Sequence, residues 1–107
     1  MELSQYQIVL VNLDLTLGSE MKKTRPCLII SPNEMNKYLQ TIVVAPLTST
    51  SKPYPTRVPV KLNGLKGWIV LDQIRTIDRI RIIKPLGSLT QKEITTVKEI
   101  IQETYVL

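Results

Sequence analysis

The sequence predicts a mainly β domain, a small antiparallel barrel of about five to seven short strands followed by one C-terminal α-helix. Three observations lead there. Apolar residues fall in short runs separated by Gly, Pro, Asn and hydroxyl residues, the pattern of strands joined by turns. The chain has no Phe and a single Trp, so its interior must be Ile, Val and Leu, which leans toward strands. No helix long enough to carry a parallel crossover lies between the strands, so the strands pair antiparallel.

Taken in order, residues 7–13 (QIVLVNL) read as the first strand. Residues 14–26 (DLTLGSEMKKTRP) are a polar connection in which Gly18 permits a tight turn, and the apolar run PCLIIS, residues 26–31, is the second strand. Ser31-Pro32 resembles a helix start, with Glu34 three residues after Ser31, so one short helical turn is placed over 32–38. Residues 41–47 (TIVVAPL) form a strand buried on both sides, with Pro46 as its last paired residue or a bulge. The hydroxyl- and proline-rich stretch 48–56 is loop.

Residues 57–61 (RVPVK) alternate charged and apolar side chains, and Pro59 marks this strand as an edge. Asn63-Gly64 is a hairpin signal, after which 67–71 (GWIVL) is a buried strand that 72–74 continue or bend away from. Residues 79–84 alternate Arg79 and Arg81 with Ile80 and Ile82, and Pro85 with Gly87 closes that strand. Thr90 followed by Glu93 is a capping box. Ile94, Val97, Ile100 and Ile101 then recur at helical spacing, giving an amphipathic helix over 91–104.

At 107 residues the chain is one domain. The single Cys27 lies in an apolar run, which excludes an internal disulfide, points to a reducing compartment, and marks the residue as core rather than nucleophile. The absence of histidine removes Ser-His-Asp and Cys-His catalysis and His-containing zinc sites. Neither a signal peptide nor an apolar run of membrane-spanning length is evident, so a cytoplasmic location is the default expectation. The formal charge of +5, from 14 Lys and Arg against 9 Asp and Glu, suits a polyanion or an acidic protein partner. The aromatic residues are too scattered to form an evident stacking array.

Polar residues gather at the predicted strand ends: Asp14, Glu20 and Arg25; Thr48, Ser49 and Thr50; Arg57; and Asp72, Gln73, Arg75 and Thr76. Lys22 and Lys23 add cations to the first connection. In a small barrel such ends can converge on one face, where guanidinium groups and hydroxyls can clamp a phosphodiester. Without histidine or a carboxylate cluster spaced for two metals, attack by a metal-bound water is disfavoured. RNA offers another route, because its own 2′-hydroxyl can attack the adjacent phosphorus while the protein positions the phosphate and stabilises charge. Taken singly, each group also has an ordinary reading as a solvated connection, a strand-end hydrogen-bonding pair or an edge-strand charge.

Read together, LDLTLGSE at 13–20, Arg25-Pro26, PLTST at 46–50 and DQIRT at 72–76 resemble the MazF/PemK family of bacterial toxin endoribonucleases, over nearly the whole chain. The resemblance implies an SH3-like barrel with a C-terminal helix, assembled as a homodimer. It implies metal-independent cleavage of single-stranded RNA that leaves a 2′,3′-cyclic phosphate and a 5′-hydroxyl, no cofactor, and inhibition by an acidic, MazE-like antitoxin. The family's arginine before proline falls on Arg25, which would stabilise the transition state chiefly through its charge. The family's strand-end threonine falls on Thr48, which would bind the phosphate or orient the 2′-hydroxyl. Glu20 is the candidate proton acceptor.

Asp72 matches an aspartate that acts as the base in one branch of the family. The acid and first-loop histidine of that branch are replaced here by Val70 and Ser19, which moves Asp72 toward a structural or substrate-binding role, though it stays among the candidate catalytic residues. Substrate contacts are expected from Asp14, Ser19, Lys22, Lys23, Ser49, Thr50, Arg57, Gln73 and Arg75. Leu15 departs from the family's proline at that position. Two other outcomes of the same scaffold are a non-catalytic barrel that binds RNA or antitoxin, and a toxin that inhibits a gyrase.

Overall fold

The computed structural model describes residues 2–13 and 23–106. Its strands are β1 (Gln7–Asn12), β2 (Thr24–Ile29), β3 (Thr41–Thr48), β4 (Arg57–Leu62), β5 (Leu65–Val70), β6 (Arg75–Asp78) and β7 (Ile82–Ser88). They pair antiparallel in the order β4-β5-β3-β2-β1-β7, and β6 pairs with β3. β3 is the branch point: residues 44–46 pair with β2, residues 41–44 with β6, and Leu47 and Thr48 with β5. The protein is therefore mainly β, a curled antiparallel half-barrel with a C-terminal helix.

Side-chain alternation divides the interior in two. One face of β1, β2 and β3 sends Ile8, Leu28, Ala45 and Leu47 against Val58, Val60 and Ile69 of the β4–β5 hairpin and Val97 of the C-terminal helix. The opposite face sends Val9, Val11, Cys27, Ile29, Ile42 and Val44 against Leu3 and Ile77. These strands are buried on both faces, which is why their apolar runs are nearly continuous.

Helix α2 (Gln91–Ile101) starts with the capping box read from the sequence: Glu93 N donates to Thr90 Oγ1 at 3.2 Å and Thr90 N to Glu93 Oε1 at 2.8 Å. Residues 102–106 continue as a wider π turn. There the Tyr105 hydroxyl donates to the Leu71 carbonyl. The two outermost strands meet through a side chain, since a Cβ added at Gly87 of β7 would lie 3.1 Å from Leu62 Cδ1 of β4. Along the outer margin of β4, Arg57 N donates to Tyr54 O at 3.0 Å, Lys61 N to Glu93 Oε2 at 3.4 Å, and Pro59 between them has no N–H.

The structure corrects several boundaries. β2 begins at Thr24, so Arg25 lies within the strand, opposite Val11. β3 includes Thr48, and the 3₁₀ turn Leu71–Gln73 takes over where β5 ends. Arg79–Arg81 is a 3₁₀ turn rather than strand, capped by Asp78, whose Oδ1 accepts from Ile80 N at 3.0 Å. β7 then runs through Pro85 and Gly87 instead of stopping there. It is an edge strand with register shifts against β1, where a missing N–H is tolerated.

Helix α1 (Asn33–Tyr38) exists where a helical turn was read, but Ser31 does not cap it; Pro32 holds that position. The Ser31 hydroxyl turns inward, donating to Asn36 Oδ1 and accepting from Val43 N at 3.1 Å, while Asn36 Nδ2 donates to the Ser31 carbonyl at 2.9 Å. Both residues are buried, and their mutual bonds cover the cost of desolvating them.

Candidate active site

The site grows from the register of β1, β2, β3 and β5. The last β2–β3 pair is Cys27 with Pro46, and two residues beyond it on each strand stand Arg25 and Thr48. Both residues line one groove of about 320 Å³, together with Thr24, Ser49 and Lys66, above a floor that includes Leu47, Val60 and Leu62. Two cations and three hydroxyl residues over an apolar floor form a grip for a phosphodiester. The Thr48 hydroxyl lies 3.1 Å from the Thr50 carbonyl and 3.4 Å from the Thr50 N–H, so the turn after β3 fixes its direction.

Arg25 also lines a second groove, of about 400 Å³, with Gln73 and Arg75. It therefore stands between two recesses, one bearing hydroxyls and one bearing a second guanidinium. Cys27 lies beneath the second groove, fully buried, and burial pushes its thiol up to about 11, although the charges of Arg25 and Arg75 act in the opposite direction. That makes it an inert core thiol.

Asp72 and Arg57 pair with one another and line neither groove. Arg57 Nε donates to Asp72 Oδ1 at 2.8 Å and Nη2 to Oδ2 at 3.2 Å, while the Thr56 hydroxyl donates to Oδ1 at 2.9 Å. The hydrogen bond from Arg57 is the main cause that holds the Asp72 carboxyl below its usual range; the same bond raises Arg57. Arg57 Nη1 reaches Ser51 Oγ at 2.9 Å and the guanidinium lies 5.3 Å from the Tyr54 ring centroid. The pair thereby ties the β3–β4 loop to the end of β5.

Of the other residues singled out in the sequence, Lys23, Thr50, Gln73 and Arg75 are exposed near these grooves or their rims. Asp14, Ser19, Glu20 and Lys22 lie outside the described residues, as do Leu15 and Gly18. Sequence reasoning missed Lys66, which the β4–β5 hairpin swings beside Thr48; nothing local distinguishes it from any surface lysine. Among the described residues, no three His, Cys, Asp or Glu side chains gather as metal ligands, and no helix is long and apolar enough to cross a membrane.

Fold and groove together define a small β domain with a cationic, hydroxyl-lined groove at the end of its sheet. The chain belongs to the PemK-like, MazF-like toxin family of type II toxin–antitoxin systems, whose model matches residues 4–105. It is 33% identical over 100 residues to the endoribonuclease MazF of Staphylococcus saprophyticus, covering 88% of this chain and 83% of that one. It is also similar to the solved structure of Mycobacterium tuberculosis toxin MazF-mt6, with 25% identity, a TM-score of 0.80, and 94% and 97% of the two chains covered. A mycobacterial endoribonuclease solved with its cognate antitoxin shares the fold at 23% identity and a TM-score of 0.83, with 97% and 95% covered. The protein is accordingly a MazF-like toxin and an endoribonuclease.

Proposed function

We propose that this toxin cuts single-stranded RNA at short sequences, without a metal, through the substrate's own 2′-hydroxyl. The 2′-oxygen forms a bond to the adjacent phosphorus, the bond from phosphorus to the 5′-oxygen breaks, and the products are a 2′,3′-cyclic phosphate and a 5′-hydroxyl. The observation that carries this reading is the shared groove of Arg25 and Thr48. A phosphate seated there meets a guanidinium fork that can neutralise the charge growing on its free oxygens, and a hydroxyl of fixed direction.

Glu20, in the connection that leads into β2, takes the proton from the 2′-hydroxyl, and a proton returns to the 5′-oxygen as it leaves. Asp72, engaged by Arg57, contributes by holding the β3–β4 loop, so that Ser49 and Thr50 face the substrate. Arg75, Gln73 and Lys23 contact flanking nucleotides, as do Asp14, Ser19 and Lys22. The toxin works as a homodimer in the cytoplasm and is silenced by an acidic antitoxin. The charge of +5 suits both partners, and a relative of the same fold has been solved with its antitoxin.

Incubating a long single-stranded transcript with the pure protein in EDTA, then sequencing the ends, tests this reading. Discrete cuts with cyclic-phosphate ends, strongly slowed in Arg25→Ala, are the expected result. RNA that stays intact with the wild-type protein overturns it.

A further inference from the structure

We propose that Trp68 is a stacking platform for a nucleobase next to the scissile phosphate, with Lys61 and Lys66 holding the adjoining backbone. The inference rests on the RNA-cleaving function proposed above and adds a base subsite to it. Trp68 of β5 lies directly opposite Thr48 of β3 on one side and opposite Pro59 of β4 on the other. Opposed residues of antiparallel strands project from the same face. Trp68 and Thr48 thus sit one strand spacing apart, about 4.8 Å, on the same face, and Arg25 lines the groove that holds Thr48. The neighbouring row, Val58, Ile69 and Leu47, points inward and is buried, whereas Trp68 stays partly exposed.

Trp68 lines a groove of about 430 Å³ together with Pro59, Lys61 and Lys66. This groove shares Val60, Lys66 and Gly67 with the one that holds Arg25 and Thr48, so the two adjoin. A ring flanked by two lysines matches what a single strand presents, a flat base followed by a phosphate. The one acidic side chain in the groove, Glu93, is turned to the backbone. Its Oε1 accepts from Thr90 N and its Oε2 from Lys61 N. The occupant of this groove is thus a base of the RNA itself, reached without leaving the row that carries the reaction.

Trp68 is the chain's only tryptophan, so its emission reports on the subsite directly. The probe is a 2′-O-methyl RNA oligonucleotide carrying a site that the wild-type protein cuts in a transcript; lacking the 2′-hydroxyl, it binds without being cut. Wild-type emission should be quenched along the same isotherm as the anisotropy of a labelled copy. Trp68→Ala should bind roughly 5- to 100-fold more weakly, the range for removing a stacked ring, while Trp68→Phe and Trp68→Tyr recover most of the affinity. A single abasic position moved along the oligonucleotide should weaken the wild type at one position beside the cut and leave Trp68→Ala unchanged at that position. Saturable binding with unaltered emission, or a folded Trp68→Ala protein of wild-type affinity, overturns the stacking subsite and leaves the RNA-cleaving function standing. A wild-type protein that cuts no RNA overturns that function, and the subsite falls with it.

Discussion

Both oxygens of the Asp72 carboxylate are occupied by the Arg57 guanidinium, at 2.8 and 3.2 Å. The two residues are 15 positions apart in sequence, and their union fixes the loop that begins directly after Thr48. A carboxylate so engaged is a poor proton acceptor, because taking up a proton means giving up its partner.

The pH behaviour follows in sign. The folded Asp72 carboxyl lies below its ordinary value, near 4, chiefly through the Arg57 hydrogen bond. Its contribution to stability is therefore present above about pH 4 and is lost as pH falls through the lower folded value. Above about pH 5 no limb of the pH–rate profile should belong to Asp72. Asp72→Asn should raise KM more than it lowers kcat, since it frees the 49–56 loop, and the acid limb should persist. A profile that loses its acid limb in Asp72→Asn would instead make Asp72 the base.

Arg25 should show the cost of losing a charge that is needed most in the transition state. Arg25→Ala should lower kcat about 10²- to 10³-fold, the range for removing one donor to a developing oxyanion. Arg25→Lys keeps the charge without the fork and should fall between the two. Thr48→Val, which removes only the hydroxyl, should cost about tenfold to a hundredfold. Single-turnover cleavage of one end-labelled oligonucleotide ranks all three.

Cys27 should resist thiol reagents in the native protein at pH 8 and react only on unfolding, which a chromogenic disulfide reagent with and without denaturant reads out. Burial lifts its value from the usual 9 to about 11. The folded state thus holds its proton where the unfolded state has lost it. The associated stability is present below about pH 9 and declines as pH rises toward 11. Urea midpoints at pH 8 and pH 10.5 should diverge more in the wild type than in Cys27→Ala.

Thr90→Ala removes one half of the capping box of α2 and should cost about 1 kcal/mol, a fall in Tm of roughly 4–8 °C for a domain of this size. Thr90→Ser should recover most of it. Thermal unfolding followed by circular dichroism separates the two.

Elements whose signal is local were legible in the sequence. α2 announces itself by Thr90, Glu93 and the spacing of Ile94 and Val97, and β1 and β3 by apolar runs that need burial on both faces. β6 was not legible, since only Ile77 of its residues is buried and its ladder to β3 is made by partners more than 30 positions away. Arg79 reads as an edge-strand charge, yet its Nη1 donates to the carbonyls of Asn36 and Leu39 at 2.8 and 3.0 Å, satisfying the end of α1. The site divides in the same way. Arg25 and Thr48 stand out through motifs, but their adjacency is a product of sheet register, and Lys66 and Trp68 join them by geometry alone.

The outer margin of β4 carries a consequence for how other molecules can approach. N–H groups two residues apart point to the same side of a strand. On that side the Arg57 donor is taken by Tyr54, the Lys61 donor by Glu93, and position 59 supplies none. The donor half of a ladder is therefore missing there, which leaves an incoming strand only carbonyls to bond to. The margin is thereby blunted against strand addition, and shape, aromatic surface and charge weigh more in what docks along it, features that a nucleic acid strand can match.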